Sequence, residues 1–242
     1  MRVLQRGYEL IWREDRVEDA LSGLGEDFEW IAPDHPDGMV HRGPAAAIDF
    51  FHDWRGQFEG LEVSWELEDI GGGRVLALTS TTGRGRASGA PVAMRFAQVW
   101  RFRDGRFTRM VMADTPLLAI IREAGQTLGQ EGYESTVAAY TEDVLWEDDP
   151  DWPDGAVRHG HAGVRSGYAQ LFDFASVSVH FEETVERAGR VMALQRWEAV
   201  GLGSGAPTVL RPGTLFEFEG YLVRRVRFFL DHDRARRAFE AE

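Results

Sequence analysis

The sequence predicts an α+β fold that is built twice in tandem. Three observations lead to this prediction: an internal repeat, segments with helical apolar spacing, and runs in which apolar and polar side chains alternate. Helices followed by several antiparallel strands are typical of an α+β layer, in which a sheet covers helices on one face. The concave side of such a sheet is a natural place for a ligand pocket.

A repeat with a spacing of 116 or 117 residues sets the domain count. Four segments of the first half recur in the same order in the second half. They begin at Glu26, Pro33, Arg74 and Ser88, and their counterparts begin at Glu142, Pro150, Arg190 and Ser204. Two copies fit a fused pair of domains better than a solenoid. We therefore expect one domain over residues 1–122 and a more divergent copy over residues 123–242.

The first copy begins with helical spacing and continues with alternating strands. Its expected elements are a helix at 3–24 broken near Glu14, an extended segment at 30–33, a loop at 33–43, a helix at 45–58, and strands at 61–68, 74–84, 91–103 and 106–113. Asp104-Gly105 predicts a hairpin turn, because these residues accept positive φ angles. Thr115 as N-cap and Pro116 at the first helical position predict a closing helix to about Ala124.

The second copy repeats this order, but its opening helix is less clear. A helix is expected at 162–174, strands at 177–187, 190–201, 207–219 and 221–230, and a final helix at 231–241. Gly125, Gly129 and Gly132 interrupt the helical pattern ahead of it. The boundary between the copies is therefore expected between residues 121 and 132, in a linker that is partly helical.

Composition excludes several kinds of chemistry. The chain has no cysteine, so disulfides and thiolate nucleophiles are absent, and all 27 basic residues are arginine, which excludes a Schiff-base lysine. A net charge of −13 argues against a nucleic-acid partner. No apolar run approaches the roughly 20 residues of a membrane span, and the start is not a signal peptide. We expect a cytoplasmic protein with no membrane partner and no cofactor.

The order of motifs resembles the SnoaL-like polyketide cyclases, which belong to the superfamily of ketosteroid isomerases and nuclear-transport-factor-two-like proteins. In copy one the resemblance rests on residues 26–33 and 97–107, and in copy two on residues 142–146, 160–163 and 216–220. It implies two cone-shaped domains, each a curved antiparallel sheet wrapped around N-terminal helices, with a pocket between sheet and helices. Members often dimerise through the outer sheet face. The two copies are thus expected to pair within one chain, and a homodimer is an open alternative.

The resemblance also implies a position for a catalytic base. Proton-transfer members carry a carboxylate directly before a proline after the first short strand, and Asp149-Pro150 matches that pattern in copy two. Copy one has Ala32 there. A carboxylate at the mouth of an apolar pocket would have a raised pKa and could exchange a proton near neutrality. Asp148 and His159 are the candidate assisting groups. The alternative is a solvated acidic turn, since Asp-Pro is common in turns.

A second candidate position is Gln98. It is the one polar side chain in a row on one strand face that contains Met94, Phe96, Trp100 and Phe102. Isomerases place an acidic hydrogen-bond donor here, whereas glutamine can donate a hydrogen bond but cannot shuttle a proton. Gln98 is therefore either a ligand contact or a buried amide satisfied by backbone or water. A pocket in copy one should be apolar, with Gln98 as its main polar group.

The remaining candidates come from the first helix, the tryptophans and copy two. Met110 and Met112 are aligned with Arg225 and Arg227, which would make the copy-two pocket more polar, or else form an exposed basic edge. The candidate substrate-binding residues are Tyr8, Trp30, Trp54, Met94, Phe96, Gln98, Trp100, Met112, Trp146, Trp197, Thr214, Phe216 and Arg227. His159 and His161 lack a placed third ligand, so no metal is expected.

Two functional hypotheses remain at this point. The first is a cofactor-independent isomerase or cyclase, or an epoxide hydrolase, acting on a hydrophobic carbonyl or polyketide-like compound with Asp149 as base. The second is a non-catalytic module for ligand binding or dimerisation. The loss of the base position in copy one and the amide at Gln98 favour a small-molecule-binding protein whose partner is a small hydrophobic compound.

Overall fold

The computed structural model describes residues 1–32, 39–152 and 155–241. The chain divides into two units, Met1–Ala119 and Ile120–Glu242. Much of the repeated Pro33 and Pro150 segments, namely residues 33–38 and 153–154, lies outside the described residues. The division between the units falls inside a helix, which also contains the boundary expected at residues 122–123.

Unit 1 consists of helices packed against a six-stranded sheet. In chain order its elements are α1 (Arg2–Trp12), α2 (Val17–Leu21), β1 (Leu24–Ala32), β2 (Met39–Arg42), α3 (Gly43–Gly56), β3 (Phe58–Asp69), β4 (Arg74–Gly85), β5 (Pro91–Arg103), β6 (Arg106–Ala113) and the start of α4 (Pro116–Glu131). The strand order is β2-β1-β6-β5-β4-β3. All pairs are antiparallel except β1 with β6, which run parallel.

Unit 2 repeats this arrangement. It contains the rest of α4, a 3₁₀ helix (Tyr133–Ala139), β7 (Tyr140–Glu147), β8 (Val157–His159), α5 (Gly160–Phe172), β9 (Ala175–Arg187), β10 (Arg190–Gly201), β11 (Pro207–Leu210), β12 (Gly213–Glu219), β13 (Leu222–Phe229) and α6 (His232–Ala241). β7 and β13 are again the parallel pair. β11 and β12 both pair with β10, and Arg211-Pro212 separates them because proline has no N–H for the ladder.

The local signals in the sequence explain most of these boundaries. Asp104 and Gly105 both have positive φ, as the predicted hairpin turn requires. The Thr115 side chain accepts a hydrogen bond from the backbone N–H of Leu118 at 3.4 Å, as expected of an N-cap. The expected loop at 33–43 is wrong at its end, because Met39–Arg42 pairs with β1 as a strand.

Helix α4 is longer than predicted. It continues through Gly125 and Gly129 to Glu131, and Gly132 ends it with φ of 79°. Each glycine inside a helix costs only about 1 kcal/mol of stability relative to alanine, and side-chain packing can offset this cost. No described helix is both long and apolar enough to cross a membrane.

Candidate functional site

Unit 1 encloses a cavity of about 510 Å³ between its helices and the concave face of its sheet. This volume lies in the usual range for small-molecule sites. Most of the wall is apolar. The helical side is formed by Val3, Leu4, Gly7, Tyr8, Ile11, Trp12, Ala20, Leu21, Phe50, Phe51 and Trp54, and the strand side includes Leu24, Trp30, Ala32, Thr79, Met94, Phe96, Gln98, Trp100, Phe107 and Met112.

The two-residue period of strand β5 places its candidate residues in this cavity. Met94, Phe96, Gln98 and Trp100 all line it. Phe102 follows a register shift after Arg101 and is exposed at the end of the strand. Met112 is paired with Gln98 on the neighbouring strand. All eight candidate residues of copy one thus lie around one cavity, and their role in ligand binding stays a prediction.

Aromatic rings form much of the helical wall. The ring of Trp12 contacts those of Phe51 and Trp54, with centroids 5.4 and 6.3 Å apart. Trp54 also meets Phe96 edge-on across the cavity at 6.5 Å. Edge-to-face contacts of this kind hold aromatic side chains in defined orientations. This part of the wall is therefore a packed apolar surface.

One end of the cavity is polar. The hydroxyl of Tyr8, on α1, donates a hydrogen bond to Oε1 of Gln98. Burial raises the pKa of Tyr8 to about 12. Tyr8 is thus protonated at any physiological pH and acts as a hydrogen-bond donor.

Ionisable groups are scarce around this cavity. Among its described lining residues, the carboxylate and the guanidinium belong to Asp114 and Arg95, and both side chains are exposed. Ala32 contributes a methyl group at the position aligned with the expected base. Among the described residues, no cluster of three or more histidine or acidic side chains could hold a metal. Among the described lining residues, none inside the cavity is therefore a carboxylate or histidine that could act as a base.

The corresponding space in unit 2 is nearly closed, at about 20 Å³. Five aromatic rings fill it in a closed sequence of contacts with centroid distances from 4.7 to 6.3 Å: Trp146, Tyr168, Phe172, Trp197 and Phe228. A Cβ at Gly167 would lie 2.4 Å from the Trp146 indole, so this glycine makes room for the ring. The expectation of a more polar pocket in copy two is wrong, because aromatic packing occupies its place.

Asp149 is a structural carboxylate. It is 3% exposed, and its oxygens accept hydrogen bonds from the backbone N–H groups of Asp151 (3.0 Å) and Leu230 (3.1 Å) and from Arg234 (2.8 Å). Burial acts to raise the pKa of Asp149, but these bonds outweigh it and lower the pKa below its ordinary value. A lowered pKa is the opposite of the raised pKa expected for a general base. Asp149 also lines neither of the two cavities.

The two candidate assisting groups are separated. Asp148 borders the small cavity of unit 2, but its carboxylate accepts hydrogen bonds from Trp146 Nε1 (2.9 Å), from the backbone of Ala156 (3.1 Å) and from Arg158. His159 is exposed at the end of β8. The three proposed catalytic residues therefore do not form a site with Asp149 as base.

The register of the last strand in copy two differs from the sequence alignment by one residue. Trp30 pairs with Met110, and its counterpart Trp146 pairs with Val226, so Met112 corresponds to Phe228. Arg227 instead lies 3.8 Å from Glu217 in an ion pair. The same register shift occurs at the equivalent place in copy one, between Leu24 and Glu29, so the two copies stay aligned at the repeat spacing of 116 residues, and the expected alignment of Met112 with Arg227 was one residue short of that spacing.

The other copy-two candidates are core residues. Thr214 is fully buried, and its hydroxyl donates to Gln195 Oε1 at 3.3 Å, while Trp197 donates to the same oxygen at 3.0 Å. Phe216 is buried, and Trp146 and Trp197 border the closed cavity.

Sequence reasoning missed several residues of the large cavity. Thr79 lies on β4 opposite Phe96 and diagonal to Gln98, and Trp12, Phe50 and Phe51 add to the aromatic wall. The alternation of Val75, Ala77 and Thr79 on one strand face was a signal for Thr79, but only if β4 is known to pair with β5.

Fold and cavity together define a tandem α+β protein in which one copy encloses an apolar chamber and the other has filled it. The sequence matches the SnoaL-like domain over residues 4–110 and again over residues 122–226. The chain therefore belongs to the SnoaL-like domain family, and the resemblance and the fold class expected from the sequence are confirmed. No curated protein matches the chain.

Solved structures of similar fold cover about half of the chain. A Δ5-3-ketosteroid isomerase from Mycobacterium sp. is 17% identical with a TM-score of 0.42, over 49% of this chain and 95% of that one. A nuclear-transport-factor-two-like protein of unknown function from Burkholderia pseudomallei is 17% identical with a TM-score of 0.43, over 52% and 96%. A putative SnoaL-like polyketide cyclase from Mesorhizobium loti is 16% identical with a TM-score of 0.38, over 46% and 97%.

Proposed function

We propose that this protein binds a small hydrophobic molecule in the cavity of unit 1. The observation that carries the proposal is the pair of volumes: about 510 Å³ in unit 1 against about 20 Å³ at the equivalent place in unit 2. A cavity that large costs stability when it stays empty, because its lining loses packing contacts. Membership of the SnoaL-like family supports a ligand-binding or isomerase- or cyclase-type protein at this coarse level.

The wall chemistry supports an apolar, mainly flat ligand. Trp12, Phe51 and Trp54 offer aromatic surface on one side, and Met94 and Met112 offer adaptable thioether side chains on the other. The exposed Arg95 and Asp114 stand at the edge of the cavity, so a charged ligand would find no partner deeper inside among the described lining residues. Proton-transfer catalysis through Asp149 has no support in the geometry and is not part of the proposal.

The test is binding of 1-tetralone, a bicyclic ketone, measured by isothermal titration calorimetry. Ligand-efficiency bounds predict a dissociation constant on the order of 100 µM. Met112→Trp should abolish binding, because Met112 is half-buried on the cavity wall and a larger ring there extends into the chamber. Its counterpart Phe228 is one of the rings that close unit 2.

The matched control is Met112→Leu, which keeps the side-chain volume and should bind within about threefold of the parent. Circular dichroism and urea unfolding establish that both variants are folded. Undiminished tetralone binding by folded Met112→Trp would contradict the location of the site.

A further inference from the structure

Unit 2 exposes an apolar patch at one end of its sheet. Of the nine large apolar side chains that are exposed among the described residues, four lie here: Phe174 (72%), Leu202 (68%), Val209 (59%) and Val200 (46%). The backbone N–H of Leu202 donates to the carbonyl of Phe174 at 2.9 Å, so these two residues are neighbours. Val200 and Val209 share one sheet face, because Val209 is paired with Glu198 and side chains alternate along a strand. We call these four residues the end patch.

The same end of unit 1 is charged. At the repeat spacing of 116 residues, Val200 and Leu202 correspond to Arg84 and Arg86. Arg84 donates to the carbonyl of Gly89 at 3.0 Å, and Arg86 donates to backbone carbonyls at 2.8 and 3.2 Å. Unit 1 thus presents guanidinium groups to water at the place where unit 2 presents aliphatic side chains.

The backbone does not explain this difference, because the adjoining hairpin turns have the same hydrogen bonds. The N–H of Gly89 donates to the carbonyl of Gly85 at 2.7 Å in unit 1, and the N–H of Gly205 donates to the carbonyl of Gly201 at 2.8 Å in unit 2. Arginine is therefore compatible with this turn. The apolar surface of unit 2 depends on its side chains alone, and exposed patches of this kind often mark interaction sites.

The size of the end patch fits an interface between two chains. Its exposed fractions correspond to roughly 400 Å² of apolar surface, which is within the range of functional patches on single chains. Two such patches in contact would cover roughly 800 Å². A specific interface buries about 1,200–2,000 Å² in total, of which a little more than half is apolar. Two end patches therefore supply the apolar part of a standard interface.

A second copy of this chain is the partner that the patch fits best. The four side chains carry no charge, so an identical patch brings no like charges together, and a two-fold axis lets the same surface serve both chains. Elsewhere the net charge of −13 makes two copies repel each other. Salt screens this repulsion, so self-association should strengthen as salt is added, whereas binding of a basic partner would weaken.

We propose that this protein forms a two-fold symmetric dimer in which the end patches of two copies pack against each other. This interface is separate from the part of the unit 2 sheet that α6 covers, where Ala235 and Phe239 pack with Met192, Leu194 and Leu215. The ligand cavity lies in unit 1 and the end patch in unit 2, so loss of the dimer should leave tetralone binding within about twofold of the parent.

Sedimentation velocity between about 1 and 100 µM tests the proposal. The parent should have twice the chain mass of 27.3 kDa, with a dissociation constant on the order of 1 µM that falls as salt is raised. Val209→Arg should weaken the dimer by at least about 100-fold, because it places a charge against an apolar copy. Leu202→Arg should do the same, and its folding is secured by Arg86 at the equivalent place of unit 1.

The matched control is Val157→Arg. Val157 is exposed to the same 59% but lies on β8, at the opposite edge of the sheet, so this variant should dimerise like the parent. A parent that stays monomeric up to 100 µM would overturn the proposal and leave the patch to another partner. A dimer that survives both Val209→Arg and Leu202→Arg would also overturn it, and so would equal weakening by Val157→Arg.

Discussion

Three donors converge on the carboxylate of Asp149, while the aligned position in copy one is filled by Ala32. A carboxylate before a proline looks the same in sequence whether it serves a reaction or a turn. The structural role of Asp149 is shown by its hydrogen bonds from Leu230 and Arg234. These residues are about 80 positions away in the chain and come close only after folding. No local motif could reveal these partners.

Asp149→Asn is expected to destabilise unit 2 by about 2 kcal/mol, because an amide NH₂ would face donors that now bond to a charged acceptor. Urea unfolding followed by tryptophan fluorescence measures this loss. Asp151→Asn is the control, since Asp151 also pairs with Arg234 but its side chain is 65% exposed. It should cost less than about 1 kcal/mol. Equal effects of the two variants would contradict a structural role specific to Asp149.

The pH dependence of this difference has a defined sign. The folded-state pKa of Asp149 lies below its value in the unfolded chain, which is about 3.9. Its contribution to stability is therefore complete above that value and is lost as the pH falls through the lowered folded-state pKa. The stability gap between the parent and Asp149→Asn should be full near neutrality and should shrink at the acid end. A constant gap across this range would contradict the assignment.

At the scale of elements, helix α4 shows how packing overrides local propensity. Its two internal glycines weaken the helical pattern, yet the helix continues through both. Gly125 has a packing reason, because a Cβ there would lie 2.3 and 2.6 Å from Cε2 and Cζ of Phe181 on β9. Gly129 has no neighbour within 4 Å of a built Cβ.

These two glycines predict opposite effects of the same substitution. Gly125→Ala should destabilise the protein by about 1–3 kcal/mol through overpacking against Phe181. Gly129→Ala should stabilise it by about 0.5–1 kcal/mol, because alanine is the better helix former and nothing obstructs it. Thermal unfolding midpoints of the two variants measure the difference. Phe181→Leu combined with Gly125→Ala should recover much of the loss, and the absence of any recovery would show that the cause is elsewhere.

Strand β5 marks the limit of what periodicity can predict. Its alternation identified Met94, Phe96, Gln98 and Trp100 correctly as one face, since side-chain direction along a strand is a local property. Thr79 could not be found in this way, because its place opposite Phe96 depends on how β4 and β5 pair. The copy-two register was wrong for a different reason: Met112 was aligned with Arg227 at a spacing of 115 residues, whereas the strand pairing keeps the repeat spacing of 116 and aligns Met112 with Phe228.

At the scale of the whole chain, the sequence predicts the order of helices and strands well, but it predicts poorly whether each unit contains an open cavity. The repeat, the turn residues and the alternating strands determine element order in both copies, and these signals lie within short windows. Whether a cavity is open depends on the volumes of side chains from five or six elements at once. In unit 2 the ring contacts of Trp146 with Tyr168 and Phe228 close it, and the sequence shows only that these residues are aromatic.

The unequal cavities predict the stoichiometry of binding. Calorimetric titration with 1-tetralone should give one site for each chain, because about 20 Å³ in unit 2 admits no bicyclic molecule. Met112→Trp, which blocks unit 1, should leave no residual binding. A value of two sites, or residual binding in that variant, would contradict the assignment of the site to unit 1.

The polar pair in the two sheets has a consequence for the history of the chain. Thr79 and Gln98 of unit 1 correspond to Gln195 and Thr214 of unit 2, so a hydroxyl and an amide have exchanged strands between the halves. If only one of the two positions were substituted, a unit would carry either two amides or two hydroxyls. Two amides would overfill the space between the strands, and two hydroxyls would leave a gap there. We expect the two positions to have changed as a pair. The amide lines the open cavity in unit 1 and is enclosed in the core of unit 2.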